Sequence, residues 1–98
     1  MIKTFLPKEI IELLERITAM GDKKHGTETW LNPSNKSMQK EANWASIGRH
    51  QSKSKSGIKN DEESGEDHRG HAAWRLLHSY VRDERGIKDE PVEKPELH

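Results

Sequence analysis

Cysteine is absent from all 98 residues, which removes disulfides, thiolate metal ligands and thiol nucleophiles together. A metal site in this chain must be built from imidazole and carboxylate, and the chain fits a reducing interior without requiring one. Net charge is missing too. Seventeen basic and seventeen acidic residues cancel, so no overall field draws the protein along a nucleic-acid backbone, and duplex binding is disfavoured. No apolar run approaches the roughly 20 residues of a membrane span, and the amino terminus lacks the pattern of a secretory signal. The expectation is a cytoplasmic protein with no membrane partner. Apolar residues are scarce, at 30% against 35% charged. A core that thin leaves a small monomer marginal, so a metal, a ligand or assembly into a homo-oligomer is expected to add stability.

The patterns that are present are helical, and the fold class expected is all-α: three helices in an antiparallel arrangement within a single domain over residues 1–86. Pro7 marks a helix start; Ile10, Ile11, Leu13, Leu14, Ile17 and Met20 then recur every three or four residues, and Gly21 reads as the terminal cap. Residues 23–35 read as a loop in which Trp30 plugs the core. Ser37 can cap a second helix over about 38–53, with Met38, Ala42, Ala45 and Arg49 on one face and Trp44, Ile47 and Gln51 on another. After a Ser/Lys-rich run and a turn, Ser64 can cap a third helix reaching about residue 85, with Ala73, Leu76, Leu77 and Tyr80 as its core stripe. Residues 87–98 alternate charge with two prolines and are expected to form a flexible tail.

Chemistry concentrates where the second helix ends and the third begins. His68 and His71 stand three residues apart, so two imidazoles on one helix can reach one ion. The short turn brings His50 and Asp61 toward them, giving His50, Asp61, His68 and His71 as candidate ligands of a divalent metal ion. Helical geometry puts His68 at the edge of the core and His71 on another face, suited to a subunit contact. Glu62 and Glu63 are candidate general bases, and Lys24, Arg49 and Lys53 are candidate clamps for phosphate. Trp30, Trp44 and Trp74 each offer a surface on which a base can stack.

The series Lys24-His25-Gly26, Trp30, Arg49-His50, Asp61-Glu62-Glu63-Ser64-Gly65 and His68-x-x-His71-Ala72 resembles a group of small phage proteins described as the amino-terminal domain of dATP/dGTP diphosphohydrolase. The resemblance covers about residues 23–80, and its most specific part is the block 61–72. His25 stands where that group has tyrosine, and the Glu-x-x-Glu followed by Glu-x-x-Asp that the all-α pyrophosphohydrolases carry on successive helices cannot be placed here. The resemblance implies a helical protein, at work in the cytoplasm of an infected bacterial host, that handles a purine nucleotide. It carries over to Lys24, Trp30, Arg49, His50, Asp61, Ser64, His68 and His71.

Two functional classes follow. One is a metal-dependent hydrolase cutting dATP or dGTP to monophosphate and pyrophosphate, with His50, Asp61 and His68 holding the ion and Lys24 and Arg49 neutralising phosphate. The other is a non-catalytic anti-defence sponge that sequesters a nucleotide immune signal of cyclic or ADP-ribose type. A blander alternative is a structural clasp, in which His50 and His68 hydrogen-bond across the turn and no ligand binds.

Overall fold

The computed structural model describes residues 5–90 and is built from three helices, α1 (Lys8–His25), α2 (Lys40–Lys55) and α3 (His68–Glu84), with short 3₁₀ turns at Thr29–Leu31 and Lys36–Met38. Among the described residues there is no strand, only one bridge between Asn60 and Asp67. The all-α reading holds.

Pro7 is the residue just outside α1, and its carbonyl accepts the first helical N–H bond, from Ile10 at 3.0 Å. The helix does not stop at Gly21 as the sequence suggested. A helical glycine costs only about 1 kcal/mol, and Lys23, Lys24 and His25 in the last turn complement the helix dipole, so α1 runs on to Gly26. Ile17 is the buried member of its apolar stripe, whereas Ile10, Ile11 and Met20 are exposed. Where α1 meets α3 the contact is close: a Cβ on Gly70 would lie 2.8 Å from Leu13 Cδ2 and 2.9 Å from Ile17 Cδ1.

The second helix begins later than expected. Asn35, not Ser37, does the capping, and what it caps is the 3₁₀ turn; Gln39 precedes α2 without a side-chain cap. The missing cap is supplied from far along the chain, since the Lys40 N–H donates to Asp89 Oδ2 at 2.7 Å. At the other end Gly57, in the left-handed region at φ 92°, allows Ile58 N–H to reach back to the Lys53 carbonyl at 3.0 Å.

Helices α2 and α3 are antiparallel, because His50 faces His68 while Asn43, one register back, faces Arg75. The interface is largely polar. On α2 it is made by Asn43, Ser46, Ile47 and His50, and the Asn43 side chain both donates to the Arg75 carbonyl and accepts from Arg75 Nη1. Trp44, on the other side, is 53% exposed. On α3 the buried positions are His68, Gly70, Ala72 and Arg82, not the expected stripe, whose Leu77 and Tyr80 are exposed. Asp67 rather than Ser64 caps α3, accepting from Arg69 N–H at 2.7 Å.

Residues 89 and 90 make contacts back to the helices. Arg82, 3% exposed, donates through Nη1 to the Trp30 and Asn32 carbonyls, and its Nη2 lies 3.5 Å from Asp89 Oδ1, near enough for charge attraction without a hydrogen bond. Gln39 Nε2 donates to the Glu90 carbonyl at 3.0 Å. The remainder of the expected tail, 91–98, lies outside the described residues.

Candidate functional site

The turn before α3 is tightly cross-braced, which is why it can present side chains in fixed positions. Asp61 N–H donates to the Glu66 carbonyl and Gly65 N–H to the Asp61 carbonyl, while the His68 N–H reaches back to the Lys59 carbonyl. The Asp61 carboxylate accepts from Ser64 N–H at 2.9 Å, and Ser64 Oγ accepts from Glu66 N–H at 3.1 Å. Ser64, expected to start a helix, is instead the hub of this turn.

Against the turn stand three imidazoles. His50 Nδ1 and His68 Nδ1 are 2.8 Å apart, so one ring donates an N–H and the other accepts with its lone pair. His71 stacks on His50 with centroids 4.7 Å apart and an interplanar angle of 13°, and its Nε2 is 2.6 Å from Ser64 Oγ. Because that hydroxyl already accepts from Glu66, its own hydrogen is free to go to His71 Nε2, which favours a neutral imidazole protonated at Nδ1. His71 is thus a partner within the cluster, stacked on His50 and bonded to Ser64.

The electrostatics agree with neutral rings at His50 and His71. Burial first, then the neighbouring His71 and His68, pushes His50 from 6.5 down to about 4. His71 is lowered as well, by burial above all, with Asp61 pulling the other way. For Asp61 burial works upward, but the bonds from Ser64 and the adjacent imidazoles outweigh it, and the carboxyl is held below its ordinary value.

Atoms of His50, Asp61 and His68 capable of ligation lie within 4.8 Å of one another, close to the span of two metal–ligand bonds of about 2 Å each. The set of two imidazoles and one carboxylate, two of its three members only partly buried, suits zinc, manganese, cobalt or iron. His71 stands beside this set rather than in it.

His50, Asp61 and His71 line a cavity of about 460 Å³ between the three helices, whose wall also includes Lys24, Trp30, Arg49, Glu63, Ser64, Trp74 and Arg75. That volume is in the range of small-molecule sites. A larger, shallower depression of about 940 Å³ between Lys36, Trp44 and Asp89 carries no histidine and is set aside. Of the residues anticipated from sequence, Lys24, Trp30 and Arg49 reach the cavity. Lys53 and Glu62 are exposed and do not. Glu63 does, but it is ion-paired to Lys24 at the rim.

Arg75 is the residue that sequence reasoning missed. Its Nη1 donates to the Ser37 carbonyl at 2.9 Å and to Asn43 Oδ1 at 3.0 Å, and among the described residues no carboxylate pairs with it. Burial first, then the nearby Arg49, lowers its pKa, the mark of a cation short of an anion. The sequence signal was an arginine seven residues after His68, hence two turns along the same face.

No helix among the described residues is long and apolar enough to cross a membrane. No curated protein and no solved structure matches the chain. The model of one protein family, described as dATP/dGTP diphosphohydrolase, N-terminal, matches residues 2–90, nearly the whole chain and beyond the limits of the motifs. The match spans the stacked imidazoles, the carboxylate turn and the cationic wall alike, and the chain belongs to the dATP/dGTP diphosphohydrolase N-terminal family.

Proposed function

We propose that the cavity binds a purine deoxynucleoside triphosphate and that a divalent metal ion at His50, Asp61 and His68 takes part in cutting it to monophosphate and pyrophosphate. The single observation that carries the reading is the juxtaposition of a metal-competent ligand set with a wall bearing Arg49 and the anion-deficient Arg75. An ion held there supplies charge stabilisation at phosphoryl oxygens and makes a nearby water acidic close to neutral pH. The protein's own groups do the rest. Arg49 and Arg75 hold the polyphosphate by charge-assisted hydrogen bonds. Lys24 exchanges Glu63 for a phosphate oxygen, which frees Glu63 to accept a proton. The oxygen of water bonds to the α-phosphorus, the bond from that phosphorus to the bridging oxygen breaks, and pyrophosphate leaves with that oxygen. His71, braced by Ser64, keeps His50 in place by stacking. Glu62 and Lys53 are left without a role, since neither reaches the cavity.

One observation favours binding without turnover: among the described residues the only carboxylate on the cavity wall besides Asp61 and Asp22 is Glu63, and it is already paired. A sponge that holds an intact nucleotide is the second reading. Incubation of the purified protein with dATP and dGTP, with and without Mn²⁺, Co²⁺, Mg²⁺ or Zn²⁺, followed by chromatography before and after heat denaturation, separates the two. The hydrolase yields monophosphate and pyrophosphate only with metal. Nucleotide that disappears on mixing and returns intact on heating establishes the sponge, and nucleotide untouched and unbound throughout refutes both.

The assembly is proposed to be a homo-oligomer. The support is the small apolar core, Ile17, Met38, Ile47 and Ala72 among the described residues, against exposed Phe5, Leu6, Ile10, Ile11, Leu77 and Tyr80. Light scattering on the purified chain gives the mass that tests it.

A further inference from the structure

The end of the cavity away from the metal ligands is aromatic, and neither metal nor phosphate chemistry uses it. Trp74 and Trp30 line the cavity there, set edge to face with centroids 6.2 Å apart. His78, which does not line the cavity, stacks on Trp74 at 3.7 Å and 15°, so one indole face is already covered from behind. The ring is pinned in plane as well. Trp74 Nε1 donates to Thr18 Oγ1 at 2.8 Å, and the His78 ring is held by its Nδ1–H bond to the Trp74 carbonyl at 2.7 Å. Trp30 is anchored at its backbone, where the carbonyl accepts from Arg82 at 2.6 Å, and its ring packs against His78 with centroids 4.5 Å apart at 86°. Two indoles immobilised before any ligand arrives form a stacking platform that loses little further entropy on binding.

The register of α3 ties this platform to the metal ligands. His68, His71, Trp74 and His78 follow one another at three- and four-residue steps, and from His68 to Trp74 the helix rises about 9 Å. That rise is comparable with the reach from the α-phosphate to the base of an extended nucleotide. We propose that the Trp30–Trp74 end is the base subsite: the purine stacks on the open face of Trp74 with Trp30 at its edge, and the polyphosphate runs past Arg75 toward Arg49 and the His50, Asp61, His68 set. This inference rests on the nucleotide reading above. It adds an orientation and a source of preference, because a bicyclic purine covers more of an indole face than a pyrimidine does, and stacking is otherwise tolerant of base identity.

The protein carries its own control, since Trp44 is 53% exposed and borders the other depression. Full-length wild type and the single variants Trp30→Leu, Trp44→Leu and Trp74→Leu are titrated in Mg²⁺ with the α,β-methylene analogue of dGTP and with inorganic tripolyphosphate, following tryptophan emission and equilibrium dialysis. The analogue is expected to quench wild-type and Trp44→Leu emission alike. Trp74→Leu is expected to lose most of that quenching and to bind the analogue about ten- to a hundredfold more weakly, with tripolyphosphate binding unchanged. Trp30→Leu, which leaves the contact to Thr18 intact, shows the same trend and keeps the test open should Trp74→Leu fold poorly. Analogue affinity that survives both variants, or tripolyphosphate affinity that falls in step with it, overturns the base subsite while leaving nucleotide binding in place. A wild type that binds neither probe overturns the nucleotide reading itself, and the base subsite with it.

Discussion

Replacing Gly70 by alanine tests the packing that brings Lys24 on α1 to the cavity shared with α3, and two opposing effects of known size decide its sign. Alanine in place of a helical glycine stabilises by about 1 kcal/mol. Against that, the new methyl would meet Leu13 Cδ2 at 2.8 Å and Ile17 Cδ1 and Leu13 Cγ at 2.9 Å each, whereas carbon atoms rest about 3.5–4.0 Å apart. Relief requires two side chains on α1 to move together, and overpacking of this kind costs about 1–3 kcal/mol. The net expectation is a loss of about 1 kcal/mol, or about 4–8 °C in Tm for a domain of this size. Gly48 supplies the comparison, being helical with nothing within 4 Å of its would-be Cβ. Gly48→Ala should therefore gain up to about 1 kcal/mol from the same chemical change. Thermal melts of both variants by circular dichroism, with nucleotide affinity measured in parallel, read the opposite signs. A Gly70→Ala protein as stable as Gly48→Ala would refute the close approach of α1 to α3.

The histidine cluster gives stability a defined pH dependence. A folded-state value of about 4 for His50, lowered from 6.5 chiefly by burial, means the unfolded chain takes up the proton first, so stability is full above about pH 6.5 and falls toward pH 4. Because the ring is half-buried and partly screened, the loss is put at about 1–2 kcal/mol; urea midpoints that stay flat from pH 7 to 4.5 would contradict the cluster. Zn²⁺ or Mn²⁺ at a hundredfold excess over Kd should stabilise the protein by about 2.7 kcal/mol, an effect that EDTA reverses and Asp61→Asn abolishes, and equal melts with and without metal would remove the metal from the mechanism. Asp89→Ala deletes the distant cap of α2 and the counter-charge of Arg82, with an expected cost of about 1–2 kcal/mol in chemical denaturation. No change there would mean that residues 87–90 are not docked.

How much of this was legible in the sequence depended on whether a residue's burial followed its polarity. The three helices and the convergence of His50, Asp61 and His68 were readable because helical period and a short turn dictate them. The core was not, because its buried stripe on α3 contains His68 and Arg82 and its counterpart on α2 contains Asn43 and Ser46. A search for apolar periodicity pointed instead to Leu77 and Tyr80, which are exposed. Caps misled for a related reason. Ser37 and Ser64 are capable of capping, but Asn35 and Asp67 stand at the turns where chain direction changes, and α2 is capped by a carboxylate 49 residues away that no local pattern reveals. Arg75 escaped notice because its meaning lies in a missing partner, which only three-dimensional neighbours disclose.

The bond from Lys40 to Asp89 closes the chain into a single circuit that contains α2, the carboxylate turn and α3. His50, Asp61, His68, His71 and Arg75 all lie inside that circuit, while Lys24 and Trp30 lie outside it and approach from α1 and its loop. The half of the site proposed to hold metal and phosphate is thus latched by Asp89, close to the end of the described residues. A fragment ending before residue 89 would unlatch it without touching a single wall residue of the cavity, whereas a segment joined beyond residue 90 would leave the latch shut. The latch on α2 is that one carboxylate, five residues beyond the end of α3.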